Sequence, residues 1–292
     1  MTDTVERQRP SLSFEIFPPN TKSSNELLLD TLDELQDLGP HFISVTCSNK
    51  NADLKTTTLK LAGYIQKNLN VPSIAHLTAA YSSKEDIREA INILKRSNTN
   101  RILALRGDIY ADKPPLEDFK HASDLIHFIK EEEPTFQISG ACHPEVHPEA
   151  KNRVEDLQNL KKKVDSGCDD LITQLFFDND IFYRFRENCD IVGIDVPIYA
   201  GIMPIVNRNQ ALRLIKTTKT ALPRKFIAIL EKYEHDPESL RAAGLAYAID
   251  QIVDLVTQDT AGIHLYTMNQ SQTALTIYRA TKTLFKEEAI VV

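Results

Sequence analysis

The stretch QISGACHPEVHPEAKNRVEDLQNLKKK, residues 137–163, decides how the rest of the chain is read. Its first six residues, Gln137 to Cys142, are short and mostly apolar, as in a strand buried on both faces. Two His-Pro pairs, His143-Pro144 and His147-Pro148, then turn the chain. A helix is expected to begin near Pro148, because proline suits a first helical position whose N–H has no helical partner. Glu149 would sit in that first turn, its charge facing the positive end of the helix dipole. Val154, Leu157, Leu160 and Val164 recur at spacings of three and four and predict an apolar stripe. Asp156, Asn159 and Lys163 form a polar row beside it. The unit is strand, turn, helix, with polar residues gathered near the C-terminal end of the strand, where parallel α/β sheets bind small molecules. A charged stripe alone reads as a solvated helix flank. Two histidines and two glutamates between His143 and Glu149 favour a site.

The same unit recurs along the chain. Strands are expected at residues 11–17, 41–47, 72–80, 101–105, 137–142, 170–177, 197–204 and 262–267. Helices are expected at 25–38, 54–69, 84–96, 116–131, from about 148 to Gly167, 181–189, 209–218, 237–257 and 272–285. In the helix at 237–257, Leu240, Ala243, Ala246 and Val253 are expected to face inward. Eight alternations with strands apolar on both faces predict an α/β fold, a single-domain (β/α)8 TIM barrel over residues 11–292, after a flexible N-terminal arm at 1–10. A doubly wound sheet is the alternative. It would carry a glycine-rich turn after its first strand, and the nine glycines contain no G-x-G-x-x-G.

Bulk properties narrow the function classes. The 292 residues are 42% hydrophobic and 26% charged, ordinary for a globular domain. A net charge of −7 argues against a nucleic-acid partner. No apolar run approaches the roughly 20 residues of a membrane span, so no membrane partner is expected. The N-terminal ten residues are polar and show no secretory signal, and the four cysteines lack Cys-x-x-Cys spacing, which suits a cytoplasmic protein with reduced thiols.

Polar residues near the strand ends are the candidate site. Glu15, Thr46, His76, Arg106-Gly107-Asp108, His143 to His147, and Gln174 in the expected sixth strand all fall at one end of a barrel. Glu15, between Phe14 and Ile16, reads either as a strand-end acid or as a pocket acid. The quartet His143, Glu145, His147 and Glu149 also suggests a metal-dependent hydrolase. Against that reading, prolines 144 and 148 prevent the regular helix of motifs such as H-E-x-x-H, and no metal is expected.

These residues also carry a resemblance. SFEIFPP (13–19), FISVT (42–46), AHLT (75–78), LALRGD (103–108), PEVHPEAK (144–151), ITQLFFD (172–178), GIMP (201–204) and YTMN (266–269) resemble the bacterial type of methylenetetrahydrofolate reductase, in the family's order. The resemblance implies a barrel that uses FAD. The flavin would accept a hydride from NADH or NADPH and pass it to 5,10-methylenetetrahydrofolate, giving 5-methyltetrahydrofolate by a ping-pong scheme. Position by position, Thr46, Cys47, His76, Arg106, Gly107, Asp108, His121, Ala122, His143, His147, Ala150, Asp156, Asn159 and Lys163 match family flavin contacts. Glu15 matches the general acid that opens the folate's five-membered ring to a 5-iminium ion, a role that calls for a raised pKa, here expected from burial between Phe14 and Ile16. Asp108 matches the acid beside flavin and pterin. Gln174 matches the amide that meets folate and nicotinamide in turn, and Gln210 and Gln270 match folate contacts. Cys47, His121 and His143 stand where the family has tyrosine, Leu214 where an aromatic stacks, and Gln270 where an arginine reaches. The resemblance further implies a homo-oligomer. The rivals are a flavin oxidoreductase with another acceptor, and a barrel that binds flavin or folate without turnover.

Overall fold

Strands apolar on both faces must be covered on both, and in this chain they close on themselves. The computed structural model describes residues 9–19, 22–47, 52–217 and 220–285. Among these, β1 (Ser11–Ile16), β2 (Ile43–Val45), β3 (Ser73–Thr78), β4 (Arg101–Leu105), β5 (Gln137–Cys142), β6 (Asp170–Thr173), β7 (Ile198–Ile202) and β8 (Gly262–Tyr266) run parallel in chain order. Strand β8 then pairs with β1, Glu15 opposite Tyr266, to complete the barrel. The helices are α1 (Lys22–Gln36), α2 (Ala52–Asn68), α3 (Lys84–Arg96), α4 (Ala122–Glu132), α5 (Arg153–Asp165), α6 (Asn179–Ile191), α7 (Arg208–Thr217), α8 (Arg224–Lys232), α9 (Pro237–Thr257) and α10 (Ser271–Thr281). The arm expected at 1–10 lies, except for Arg9 and Pro10, outside the described residues.

Strand alternation divides the core in two. One set of side chains, including Phe14, Ile16, Val45 and Ala75, packs outward against the helices. The other fills the barrel with Phe42, Ile74, Leu103, Ile172 and Tyr199. Each such large side chain, fully buried, contributes about 1.5–3 kcal/mol. At the N-terminal end, Arg101 and Asp170 approach to 3.4 Å with side chains 12% and 9% exposed, and the Arg101 guanidinium lies 4.8 Å from the Phe42 ring centre. That end is plugged. The open end is the one where the strands finish.

Several expectations need correction. Helix α5 starts at Arg153, not near Pro148. Asn152 is its N-cap, accepting the Glu155 N–H at 3.0 Å, while Ala150 N–H on His147 O at 2.9 Å makes residues 147–150 a turn. Glu149 therefore lies before the helix, and Glu155 and Asp156 occupy its first turn. Val154 is 64% exposed, so the buried stripe of α5 is Leu157 and Leu160. Strand β6 ends at Thr173, leaving Gln174 beyond it and exposed. The helix expected at 116–131 begins at Ala122. In α9 the buried face is Leu240, Gly244, Leu245, Ala248, Ile252 and Leu255, with Ala246 and Val253 outward. That helix is apolar nearly all round, so periodicity alone does not set its phase. Helix α8 was not foreseen.

Candidate active site

Glu15 is the innermost acid of the open end. Alternation points Phe14 and Ile16 into the helix layer, so the expectation that they bury the Glu15 carboxyl fails: they lie on the other face of β1. Its neighbours are histidines. Glu15 Oε2 lies 3.6 Å from His76 Nε2 and 3.7 Å from His264 Nε2, and the Glu15 side chain is 20% exposed. His264 is fully buried and held at both ring nitrogens, Nδ1 to Ser13 Oγ at 2.8 Å and Nε2 to Ser44 Oγ at 3.2 Å. Ser13 already donates its proton to Ile263 O. Which ring nitrogen donates depends on the tautomer. His76 Nε2 is buried with no hydrogen-bond partner. Burial lowers the His76 pKa to about 4; Glu15 opposes that and His264 adds to it, so the ring is neutral. The reading of the sequence missed His264. The available signal was a histidine in phase with Tyr266 in GIHLYT, on the strand that pairs with Glu15. The end of β1 is further fixed from β8: Thr267 Oγ1 donates to Glu15 O at 2.7 Å, and Asn269 Nδ2 to Phe17 O at 2.9 Å.

Beside this cluster, a cavity of about 600 Å³ opens between the ends of β4 and β5 and helices α4 and α5. Arg106, Gly107 and Asp108 line it from the β4 end, with Gly107 at φ +82°, a turn that favours glycine. His121 and Ala122 contribute the start of α4. His143, His147 and Ala150 come from the loop after β5, and Asp156, Asn159 and Lys163 from α5, so the polar row read from spacing does face one cavity. Glu149, one of the suggested metal quartet, also lines it, as do Leu105, Ser123, Cys142 and Lys162, which the sequence did not single out.

Electrostatics inside the cavity follow from burial. Lys163 lies along β5 because residue 140 is glycine; a Cβ there would stand 3.2 Å from Lys163 Cδ. Its ammonium donates to Ala141 O at 2.6 Å and has no carboxylate at ion-pair distance among the described residues, and desolvation lowers its pKa. Desolvation also raises Asp156, which accepts the His147 N–H at 3.1 Å. The His143 and His147 rings meet edge to face at 4.6 Å, and burial first, then His147 and Lys163, lowers His143 to about 4. Arg106 forms a two-pronged ion pair with Glu149, Nη2 to Oε1 at 2.8 Å and Nη1 to Oε2.

The remaining candidates sit apart. Thr46 and Cys47 follow β2 outside the cavity lining, the Thr46 N–H bonded to Ile16 O at 3.0 Å. Gln174 lies just beyond β6 and is exposed, its Oε1 accepting the Leu175 N–H at 2.9 Å. Gln210 is folded onto its own loop, accepting from Val206 N at 3.1 Å and donating to Pro204 O at 3.0 Å. Gln270 is the N-cap of α10; its side chain caps no helical N–H, and its Oε1 accepts the Thr273 hydroxyl at 3.4 Å. Leu214 is 7% exposed and packs with Leu175, Phe177, Ile205, Ala211 and Phe226. The suggested metal quartet diverges: Glu145 accepts the Ala221 N–H at 3.0 Å on the far side of the loop, and Glu149 is held by Arg106.

Comparison with known proteins agrees with this geometry. Residues 1–282 match the family model described as methylenetetrahydrofolate reductase. The chain is 35% identical over 271 residues to the 5,10-methylenetetrahydrofolate reductase of Pectobacterium carotovorum subsp. carotovorum, covering 92% of this chain and 89% of that one. For the protein of the same name from Escherichia coli (strain K12) the identity is 34% over 269 residues, covering 91% and 89%. Methylenetetrahydrofolate reductase (NADH) 1 of Arabidopsis thaliana is 34% identical, covering 94% of this chain and 48% of that longer protein. Among solved structures, an uncharacterized protein from Clostridium thermocellum that binds two copies of 5-methyl-5,6,7,8-tetrahydrofolic acid superposes with a TM-score of 0.66 at 14% identity, covering 95% and 96%. A 2,3-dimethylmalate lyase reaches 0.53 at 10% identity, covering 95% and 82%. At such identities both likenesses show the barrel alone. Matched along most of its length by that family model, and at about one residue in three by bacterial relatives of similar length, the chain belongs to the methylenetetrahydrofolate reductase family and is an oxidoreductase.

Proposed function

We propose that the protein reduces 5,10-methylenetetrahydrofolate to 5-methyltetrahydrofolate, with NADH or NADPH as donor and FAD held in the cavity between α4 and α5. The observation that carries this reading is Lys163: a half-buried side chain whose ammonium is desolvated, its pKa lowered, and hydrogen-bonded only to a backbone carbonyl, with Asp156 acting on it from beyond ion-pair distance, in a cavity large enough for a cofactor. A desolvated cation without a contacting counter-charge is costly unless a ligand supplies one. A diphosphate does so, and Arg106, lining the same cavity from the end of β4, offers a second cation. His121, His143 and His147 offer flat faces and ring nitrogens, and Asp156 and Asn159 offer acceptors for hydroxyl groups. The donor set fits FAD. When bound, FAD supplies the two-electron carrier between nicotinamide and folate.

The chain's own residues would then act on the folate. Glu15 gives its proton to N10 as the C–N10 bond of the five-membered ring breaks and the 5-iminium ion forms. His76 is neutral and puts no fixed cation beside that carboxyl. Asp108, exposed at the mouth, offers negative charge to the positive charge that appears on N5. Gln174 presents its NH2 to whichever substrate occupies the mouth. Folate and nicotinamide use that mouth in turn, which makes the kinetics ping-pong. The test is Glu15→Gln in anaerobic stopped flow. Flavin bleaching by NADH should persist, while reoxidation by methylenetetrahydrofolate should slow by roughly 10²–10⁴-fold. Equal slowing of both half-reactions would show that Glu15 is not the proton donor.

A further inference from the structure

Glu149 has no part in the function proposed above, yet it occupies Arg106, the cation that lines the cavity from the β4 end. Of the five N–H donors of the Arg106 guanidinium, Nε is directed at Gly107 O at 3.3 Å, and one N–H on each terminal nitrogen is spent on the Glu149 carboxylate. The pairing raises the Arg106 pKa and lowers that of Glu149, so both groups stay charged at neutral pH. The two ends of the pair differ in freedom. The Arg106 side chain is 31% exposed and the Glu149 side chain 61%. The Glu149 backbone N–H is tied to His147 Nδ1 at 3.2 Å, so the backbone can stay in place while the carboxylate swings into water. Acids also outnumber bases on the wall: Asp108, Glu149, Glu155 and Asp156 against Arg106, Lys162 and Lys163.

We propose that Glu149 is an exchangeable counter-ion that sets the selectivity of the cavity: it holds Arg106 until a ligand brings a phosphate or diphosphate there, and leaves when one does. This rests on the reading that the cavity takes FAD. A ligand with a phosphate displaces the carboxylate and gains the freed N–H groups. A flavin without phosphate leaves the ion pair in place and gains nothing from Arg106.

The experiment compares the full chain, freed of bound flavin, with Glu149→Gln, which keeps the size of the side chain and removes its charge. FAD and riboflavin are titrated by flavin fluorescence, and ADP and inorganic pyrophosphate by calorimetry. The variant should bind FAD, ADP and pyrophosphate about fivefold more tightly at low ionic strength, the scale of a partly exposed ion pair. The gain should shrink at 0.5 M salt, roughly, as screening weakens the pair. Riboflavin affinity should not change, and the gain should vanish in an Arg106→Met background. Unchanged or weaker FAD, ADP and pyrophosphate binding would overturn the proposal and make Glu149 a support for Arg106. Equal tightening of riboflavin would overturn it as well. If neither protein binds FAD, the flavin reading fails, and ADP and pyrophosphate still report the exchange; no effect of Glu149→Gln on those two would overturn it.

Discussion

Replacing His76 by glutamine should remove a specific part of the protein's acid sensitivity. His76 is 4% exposed, and burial lowers its pKa from 6.5 to about 4. In the unfolded chain it titrates near its ordinary value. Between the two values the unfolded state takes up a proton that the folded state refuses. The contribution to stability is therefore complete above about pH 6.5 and is lost as pH falls towards 4. The gap between the two values, at about 1.36 kcal/mol per pH unit, gives about 3 kcal/mol at the acid limit and about 2 kcal/mol already at pH 5. His143, also lowered to about 4, adds a similar loss that His76→Gln leaves untouched. The assay is urea unfolding of the flavin-free wild type and variant at pH 8, 7, 6 and 5. Any fixed cost of the substitution cancels, because only the change with pH is compared. The wild type should lose about 2 kcal/mol more than the variant between pH 8 and pH 5. Parallel curves would show that His76 titrates in the folded protein as freely as in the unfolded chain, and the burial argument for a neutral ring beside Glu15 would fall.

Three further outcomes follow from single contacts. Lys163→Met should weaken FAD binding by about tenfold or more, the worth of a lost charged hydrogen bond, while holding or raising the urea midpoint, because a desolvated cation becomes apolar; a fall in midpoint with unchanged FAD affinity would make Lys163 purely structural. Gly244→Ala should destabilise by about 1–3 kcal/mol or more, since a Cβ there would stand 1.9 Å from Ile205 O and force α9 away from the loop after β7; an unchanged urea midpoint would refute that packing. His264→Ala should destabilise by about 2 kcal/mol or more, because it removes a buried ring that bonds two buried hydroxyls, Ser13 and Ser44; an unchanged urea midpoint would mean that water replaces the ring.

The barrel was legible because its strands disobey the alternation of a half-exposed sheet. SIAHLT, RILAL and IYAGI carry apolar residues on both faces, and only a sheet covered on both sides tolerates that. Boundaries were less legible where two signals compete. Pro148 announces a helix start, but Asn152 wins, because its side chain satisfies a helical N–H and a proline ring cannot. The run LFF after Gln174 looks like more strand, yet Leu175, Phe176 and Phe177 are buried as a loop against α6, α8 and α9. Apolar residues mark burial and not backbone hydrogen bonding, so β6 was read too long and Gln174 was placed inside it. Helix α8 follows Pro223 on a short amphipathic segment between two longer helices, and its only fully buried anchor is Phe226. So little periodicity is hard to tell from a loop.

The site was legible by position and illegible by contact. A polar residue at the end of an apolar strand must point either into the barrel mouth or into the helix layer, and parity along the strand decides which. Parity puts Glu15, His76 and His264 inside together, from three strands separated by up to 249 positions in the chain (264 − 15). Sequence distance conceals that meeting, and only the register of β1 with β8 and of β1, β2 and β3 produces it. The Phe14 and Ile16 error has the same origin. Neighbours in sequence are on opposite faces of a strand, so they are the residues least able to bury one another's side chains. A carboxyl on an inward face is surrounded by what the other strands bring to its level, here the two histidines His76 and His264. For a barrel enzyme of this kind, the chemistry of a strand residue is therefore to be read from the registered positions of neighbouring strands and not from the residues on either side of it.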